Sequence, residues 1–179
     1  MKILELAEAL SPQSALQIHW RGTMPSFWGA FFINKKSFAI ELVKEDVSEI
    51  EDIFKIQLPN FLKTKSIWRV DFSQLQNNQF TYNDTGNLSA EEVLKVFSTV
   101  AFGTAKKLSN FEFNIVYFAA KSNEDNSDNP RKRIYLKIAR LMAKTINGLA
   151  FTIDQKGSTI SAVVQGLTME ELDELSGIN

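Results

Sequence analysis

A chain of 179 residues with 44% apolar side chains can bury one proper core but not two generous ones, so a single domain is expected over residues 1–179. Its 20 Lys and Arg stand against 21 Asp and Glu, a formal charge of −1, which removes the global basic excess usual in nucleic-acid binders and leaves only a local footprint to look for. With no cysteine and one histidine, His19, disulfides, zinc-thiolate centres, thiol nucleophiles and multi-histidine metal sites are excluded.

The run Met1–Leu6 meets Ser11-Pro12 before it reaches signal-peptide length, and no later apolar run approaches the ~18 residues of a membrane span, so no export signal and no membrane segment are expected. Leu16, Ile18 and Trp20 have strand spacing. Phe27–Ile33 and then Phe38, Ile40 and Leu42 alternate about Asn34-Lys35-Lys36, which predicts a β-hairpin with one buried face. Between Glu45 and Leu62, Val47, Ile50, Ile53 and Phe54 fit a helix, yet Phe54, Ile56 and Leu58 also alternate before Pro59 interrupts; a short helix or irregular crossing is expected. Trp68, Val70 and Phe72 then predict a strand, and Gln79–Tyr82 a partner that folds back on it.

Ser89-Ala90-Glu91-Glu92 has the form of a capping box, in which the serine hydroxyl and the glutamate carboxylate satisfy free backbone N–H groups at a helix start. Val93, Val96, Phe97, Val100, Thr104 and Leu108 recur at helical spacing behind it, to about Asn110. Phe113–Ala119 is continuously apolar, as in a strand covered on both faces. Asn129-Pro130 sets up a second helix carrying Ile134, Ile138, Leu141 and Met142, ended by Asn147-Gly148. Ala150–Ile153 and Thr159–Val164 flank Asp154–Gly157 as a second hairpin, and Thr168-Met169-Glu170-Glu171 caps a short C-terminal helix. The sum is an α+β domain: a mostly antiparallel sheet, two central helices packed on it and a short helix at the C-terminus. Lys121–Asn129, rich in Ser, Asn, Glu and Asp, reads as a surface loop.

Two sets of residues carry potential chemistry. Arg133, Lys137, Arg140 and Lys144 are spaced four, three and four, which places them on one stripe of the second central helix, opposite its apolar side. Such a stripe is the ordinary solvated face of an amphipathic helix, or a contact for phosphates or an acidic partner; it lacks the interleaved aromatics that stack bases, so nucleic acid is weakly supported. Arg131 instead shares the sheet-facing side with Tyr135 and Ile138. An arginine there needs an acceptor: either a structural clasp with Asp84 or its turn, or an anion-binding notch formed with Thr85, Gly86, Asn87 and Tyr135, provided both central helices start at the same end of the sheet. Enzymatic motifs are missing: there is no Gly-x-Ser-x-Gly, Walker loop, His-Glu-x-x-His or calcium loop. His19, alone in a strand, fits a packed or surface residue better than a catalyst. Glu49, Glu51 and Asp52 form a charged patch without an evident partner.

The string Tyr82–Asn87, then Val96–Val100, Ile115–Ala120, Arg131–Tyr135 and Ile138–Arg140 resembles a module of bacteriophage-encoded proteins of unassigned function. Those proteins pair a Thr-Gly turn, a Val-Phe-x-Thr-Val helix, a strand ending Phe-x-Ala and an Arg four residues before a Tyr. The likeness covers roughly residues 80–145, and Asn87-Leu88-Ser89 departs from the tighter turn of that group. It implies a phage origin, in host cytoplasm or virion, and brings no catalytic residue, cofactor or metal. The expected function is a noncatalytic virion component or accessory protein that binds a protein partner or itself. The alternative is an enzyme or sensor of a nucleotide or other phosphate ligand centred on Arg131, and a nucleic-acid module ranks third.

Overall fold

The alternating first third builds an antiparallel meander, in which β1 (His19–Thr23), β2 (Ser26–Ile33), β3 (Lys36–Glu45) and β4 (Ile67–Gln76) pair in sequence order. The computed structural model describes residues 11–54, 57–76, 79–81, 88–121, 130–155 and 158–177. Asn34 and Lys35, with φ of 46° and 67°, form the β2–β3 turn as a two-residue type I′ turn, whose twist matches that of the strands it joins. The crossing that fits either period begins as a helix, α1 (Val47–Phe54), and after Pro59 becomes a 3-10 turn, Asn60–Thr64. β5 (Gln79–Thr81) folds back on the end of β4.

The remaining elements are α2 (Ala90–Leu108), β6 (Ile115–Lys121), α3 (Pro130–Ile146), β7 (Leu149–Gln155), β8 (Ser158–Val164) and α4 (Met169–Ser176). β6 joins the meander through a short parallel pairing with β4, over Ile67–Ile115, Trp68–Val116 and Arg69–Tyr117. On its far side it carries β8 and then β7, both antiparallel. Among the described residues one eight-stranded sheet results, ordered β1-β2-β3-β4-β6-β8-β7, with β5 pairing β4 off that path. The fold is α+β as expected, although the sheet runs through both halves of the chain.

α2 and α3 cover one face. Alternation aims Phe27, Phe31 and Ile33 of β2 and Phe38, Ile40 and Leu42 of β3 at them, and each such side chain contributes ~1.5–3 kcal/mol on full burial. The Ser89 and Glu92 capping box forms, as does that of Thr168 and Glu171 on α4. In the last turn of α2 the Lys107 ammonium lies 4.1 Å from the Phe27 ring centroid and 5.4 Å from that of Phe111, a cation favourably placed both for the rings and for the helix C-terminus.

Leu16 and Ile18 do not extend β1, which begins at His19. The Leu16 N–H donates instead to Thr99 Oγ1 of α2 at 2.8 Å, and Ile18 fills a slot between Gly29 of β2 and Gly103 of α2, where a Cβ on either glycine would collide with it. That slot is why the segment packs as a wedge between sheet and helix.

On the second face α1, the 3-10 turn and α4 lie over the strands beyond β3, burying Val47, Ile50, Leu62, Ile67, Ile115 and Leu175 together. Trp28 and Phe32 of β2, on that same face, remain 42% and 64% exposed.

Candidate functional site

The alternation of β2 is the starting point. Phe27, Gly29, Phe31 and Ile33 are buried, whereas Trp28 and Phe32, on the opposite parity, are exposed. Apolar residues on both parities would suit a strand covered twice; here one side is left open. Strand register then lays a row across four strands: Arg21 opposite Trp28, Trp28 opposite Glu41, and Glu41 opposite Asp71. The Arg21 guanidinium carbon lies 5.7 Å from the centroid of the Trp28 ring, a cation–π arrangement that flattens the arginine against the indole. Met24, in the β1–β2 turn that contains the cis peptide bond to Pro25, is also exposed. The surface therefore presents Arg21, Met24, Trp28 and Phe32.

Where this open area meets the covered half of the same face, four ionisable side chains converge. Arg69 pairs with Glu45 through Nη1 and Oε1 at 2.9 Å and with Asp71 through Nε and Oδ2 at 2.8 Å. The Tyr117 hydroxyl donates to the other oxygen of Glu45. Burial pushes the Glu45 carboxyl above its ordinary range, and the Tyr117 hydrogen bond and Arg69 charge only partly pull it back. Asp71 is raised for the same reason, with Arg69 again opposing. Burial, then the donation to Glu45, moves the Tyr117 phenol upward, so it stays protonated and donating. Every charged group in the cluster is committed to another, which suits a structural tie between β3, β4 and β6 better than acid–base work on a substrate.

The space beside this cluster supports the same view. The apolar crevice that Tyr117 shares with Ile50, Leu62, Ile67, Ile115 and Leu175 holds about 30 Å³, enough for a water but far below the ~300 Å³ of a small-molecule site. A second hollow of about 140 Å³, lined by residues such as Asn147, Leu149, Gln165 and Leu172, has no titratable group in its wall. Among the described residues no group of His, Asp and Glu could hold a metal ion, and no helix is long and apolar enough to cross a membrane.

The geometric condition for an anion notch is met by topology. α2 ends where Asn114 bonds Ser66 at the start of β4, and α3 leads to Leu149, which pairs with Val164 opposite Ile115. Both helices therefore begin at the carboxyl end of β4 and β6. At α2, however, the protein's own capping box occupies the helix start: Ser89 N–H donates to Glu92 Oε2 at 2.7 Å and Glu92 N–H to Ser89 Oγ at 3.2 Å. Asn34 Nδ2 donates to Glu92 Oε1 at 3.0 Å and Lys36 lies 3.5 Å from that carboxylate. Tyr135 points at the sheet as expected, with its ring against Phe72 at 5.7 Å and Phe118 at 5.6 Å. Thr85, Gly86 and Asn87 lie outside the described residues, as do Asp84, the loop 122–129 and the side chain of Arg131, which belongs to the first turn of α3.

The basic stripe lies on the outer side of α3: Arg133, Arg140 and Lys144 are exposed and Lys137 is half-buried, while Ile138, Ala139 and Met142 face the core. His19 is exposed on β1. The charged patch of α1 does have partners: Glu49 Oε2 accepts from Asp46 N–H at 3.2 Å and Glu51 Oε1 from Leu58 N–H at 2.7 Å, so these carboxylates close the two ends of the helical crossing. Trp28, Phe32 and the Glu45 cluster escape a motif search, since each depends on which parity of a strand is covered. Comparison of the chain with protein-family models, curated proteins and solved structures finds no match.

Proposed function

We propose that this protein is a noncatalytic binding protein that engages a protein partner through the open face of β1 and β2. The observation that carries this is the exposure of Trp28 and Phe32 on a strand whose alternate residues are fully packed. Arg21, Met24, Trp28 and Phe32 belong to the residue types enriched in protein–protein interfaces, and Trp and Arg dominate their binding energy. Glu41 in the same row would repel phosphates, which favours a protein partner over nucleic acid. With the likeness of residues 80–145 to phage proteins, the reading becomes an accessory or small virion protein of a phage.

Selection from a displayed peptide library against the wild type, with counter-selection on W28A/F32A, tests this. Binders at least ~10-fold weaker on the double variant are expected. Binders indifferent to it, or a steep salt dependence of nucleic-acid binding lost on replacing Arg133, Lys137 and Arg140, would overturn the reading.

The shared end of the α2 and α3 N-termini favours a second reading, a phosphate-ligand site at Arg131. Thermal stabilisation by nucleotides or inorganic phosphate, present in the wild type and absent in R131A, would establish it.

A further inference from the structure

Among the described residues the sheet has two free edges, β1 and β7, and they differ. β1 is five residues long, carries Arg21, bends at Gly22 with a φ of 96° and runs into Pro25, all devices that discourage a further strand from pairing. β7, Leu149-Ala150-Phe151-Thr152-Ile153-Asp154-Gln155, is seven residues long with no Lys, Arg, Gly or Pro. Among the described residues it pairs only with β8. Among the described residues no backbone hydrogen bond reaches its outer side, and Leu149 at its start is 57% exposed.

We propose that β7 is a self-pairing edge, through which two copies of the chain join their sheets about a two-fold axis. This surface is separate from the β1–β2 face, and the proposal stands without the function assigned to that face. The strand is self-complementary in the antiparallel sense. Full overlap sets Thr152 opposite Thr152 of the second copy and Phe151 opposite Ile153 on both sides of the axis, the Thr–Thr and aromatic with β-branched pairs that stabilise neighbouring strands. Ala150 then meets Asp154 and Leu149 meets Gln155, so no like charges face each other. Phe151 and Ile153 also form the outer wall of the apolar crevice on the second face, and the pairing would continue that apolar row from one copy into the next.

A symmetric register makes a charge-exchange test decisive. The wild type is expected to be a dimer by light scattering at ~100 µM, T152K and T152E each to be monomeric because like charges then oppose across the axis, and their equimolar mixture to dimerise again. A monomeric wild type, or variants that remain dimeric alone, would overturn the proposal. Should either variant fail to fold, hydrogen exchange of the wild type decides: protection in residues 149–155 that rises with protein concentration supports self-pairing, and protection independent of concentration overturns it.

Discussion

The two faces of the sheet are built from the same strands but by different rules. Under α2 and α3 the contacts are aromatic and aliphatic: Phe31 stacks on Phe38 with centroids 5.3 Å apart, and Phe27 stacks on Trp68 at 6.0 Å. The other face is apolar over β6, β8 and β7, ionic at its middle and open at β2. Both faces therefore carry a packed core, but only the second leaves large apolar side chains of β2 exposed. Adjacent residues of one strand, Phe31 and Phe32, fall on opposite sides of that division.

Substituting this pair tests the division most directly. F31A should cost about 3–5 kcal/mol, as expected for truncating a buried Phe, whereas F32A should alter stability by less than ~0.5 kcal/mol and act on binding alone. Urea melts of the two variants measure the contrast, and a comparable loss in both would mean that the second face is covered in solution.

Next in size is G29A. A helix or strand glycine replaced by alanine often gains stability, but here the methyl would strike Ile18 and come within 2.9 Å of the Trp20 ring. A loss of about 1–3 kcal/mol is expected, and I18A in the same background should recover part of it by emptying the slot.

Acid and base dependence separates the faces further. Glu92 is held below its ordinary value of 4.5 by the Ser89 backbone N–H, then by Asn34 and Lys36. Its stabilising effect is complete above 4.5 and is lost as pH falls through the folded-state value. Glu45 is raised above 4.5, chiefly by burial, so its native state holds a proton more tightly than the unfolded chain, and stability declines as pH rises from 4.5 through the raised value. E92Q should remove an acid-side loss and E45Q a decline on the other side, both read as slopes of Tm against pH. Like slopes in the two variants would refute this assignment.

The smallest effect is expected at the β2–β3 turn. Lys35 holds a positive φ of 67°, which costs a residue with a side chain energy that glycine avoids. K35G should therefore stabilise by roughly 0.5 kcal/mol, provided the turn already has its final form in the native state. A loss would show that the Lys35 side chain contributes more than its backbone costs.

The elements were legible because period and caps are local. The turn at Asn34, the two capping boxes and the helix stop at Asn147-Gly148 can each be read from a few neighbouring residues, although it is Asn147, with φ of 55°, and not the glycine that takes the left-handed conformation. The partition of the second face could not be read that way, because Trp28 and Phe31 are equally apolar and only the placement of the helices, α2 and α3 over Phe31 and α1 and α4 away from β2, decides which is covered. Glu45, Arg69, Asp71 and Tyr117 lie on three strands, up to 72 residues apart for the Tyr117–Glu45 bond, and no spacing rule links them. The stripe of Arg133, Lys137, Arg140 and Lys144 was legible as an outer face from helical period alone, whereas Ile18 breaks strand spacing because two distant glycines make room for it.

The sheet is two antiparallel blocks joined along three pairs of residues between β4 and β6. Hydrophobic contacts alone would resist a slip at that seam only through side-chain parity. A one-residue slide of β6 would carry the Tyr117 hydroxyl away from Glu45 and set Phe118 in its place before Arg69, leaving one oxygen of a buried carboxylate without its donor. The Tyr117–Glu45 hydrogen bond, which crosses the seam, thus acts as a registration key: it favours the one alignment of the two halves in which the buried carboxylate keeps its donor.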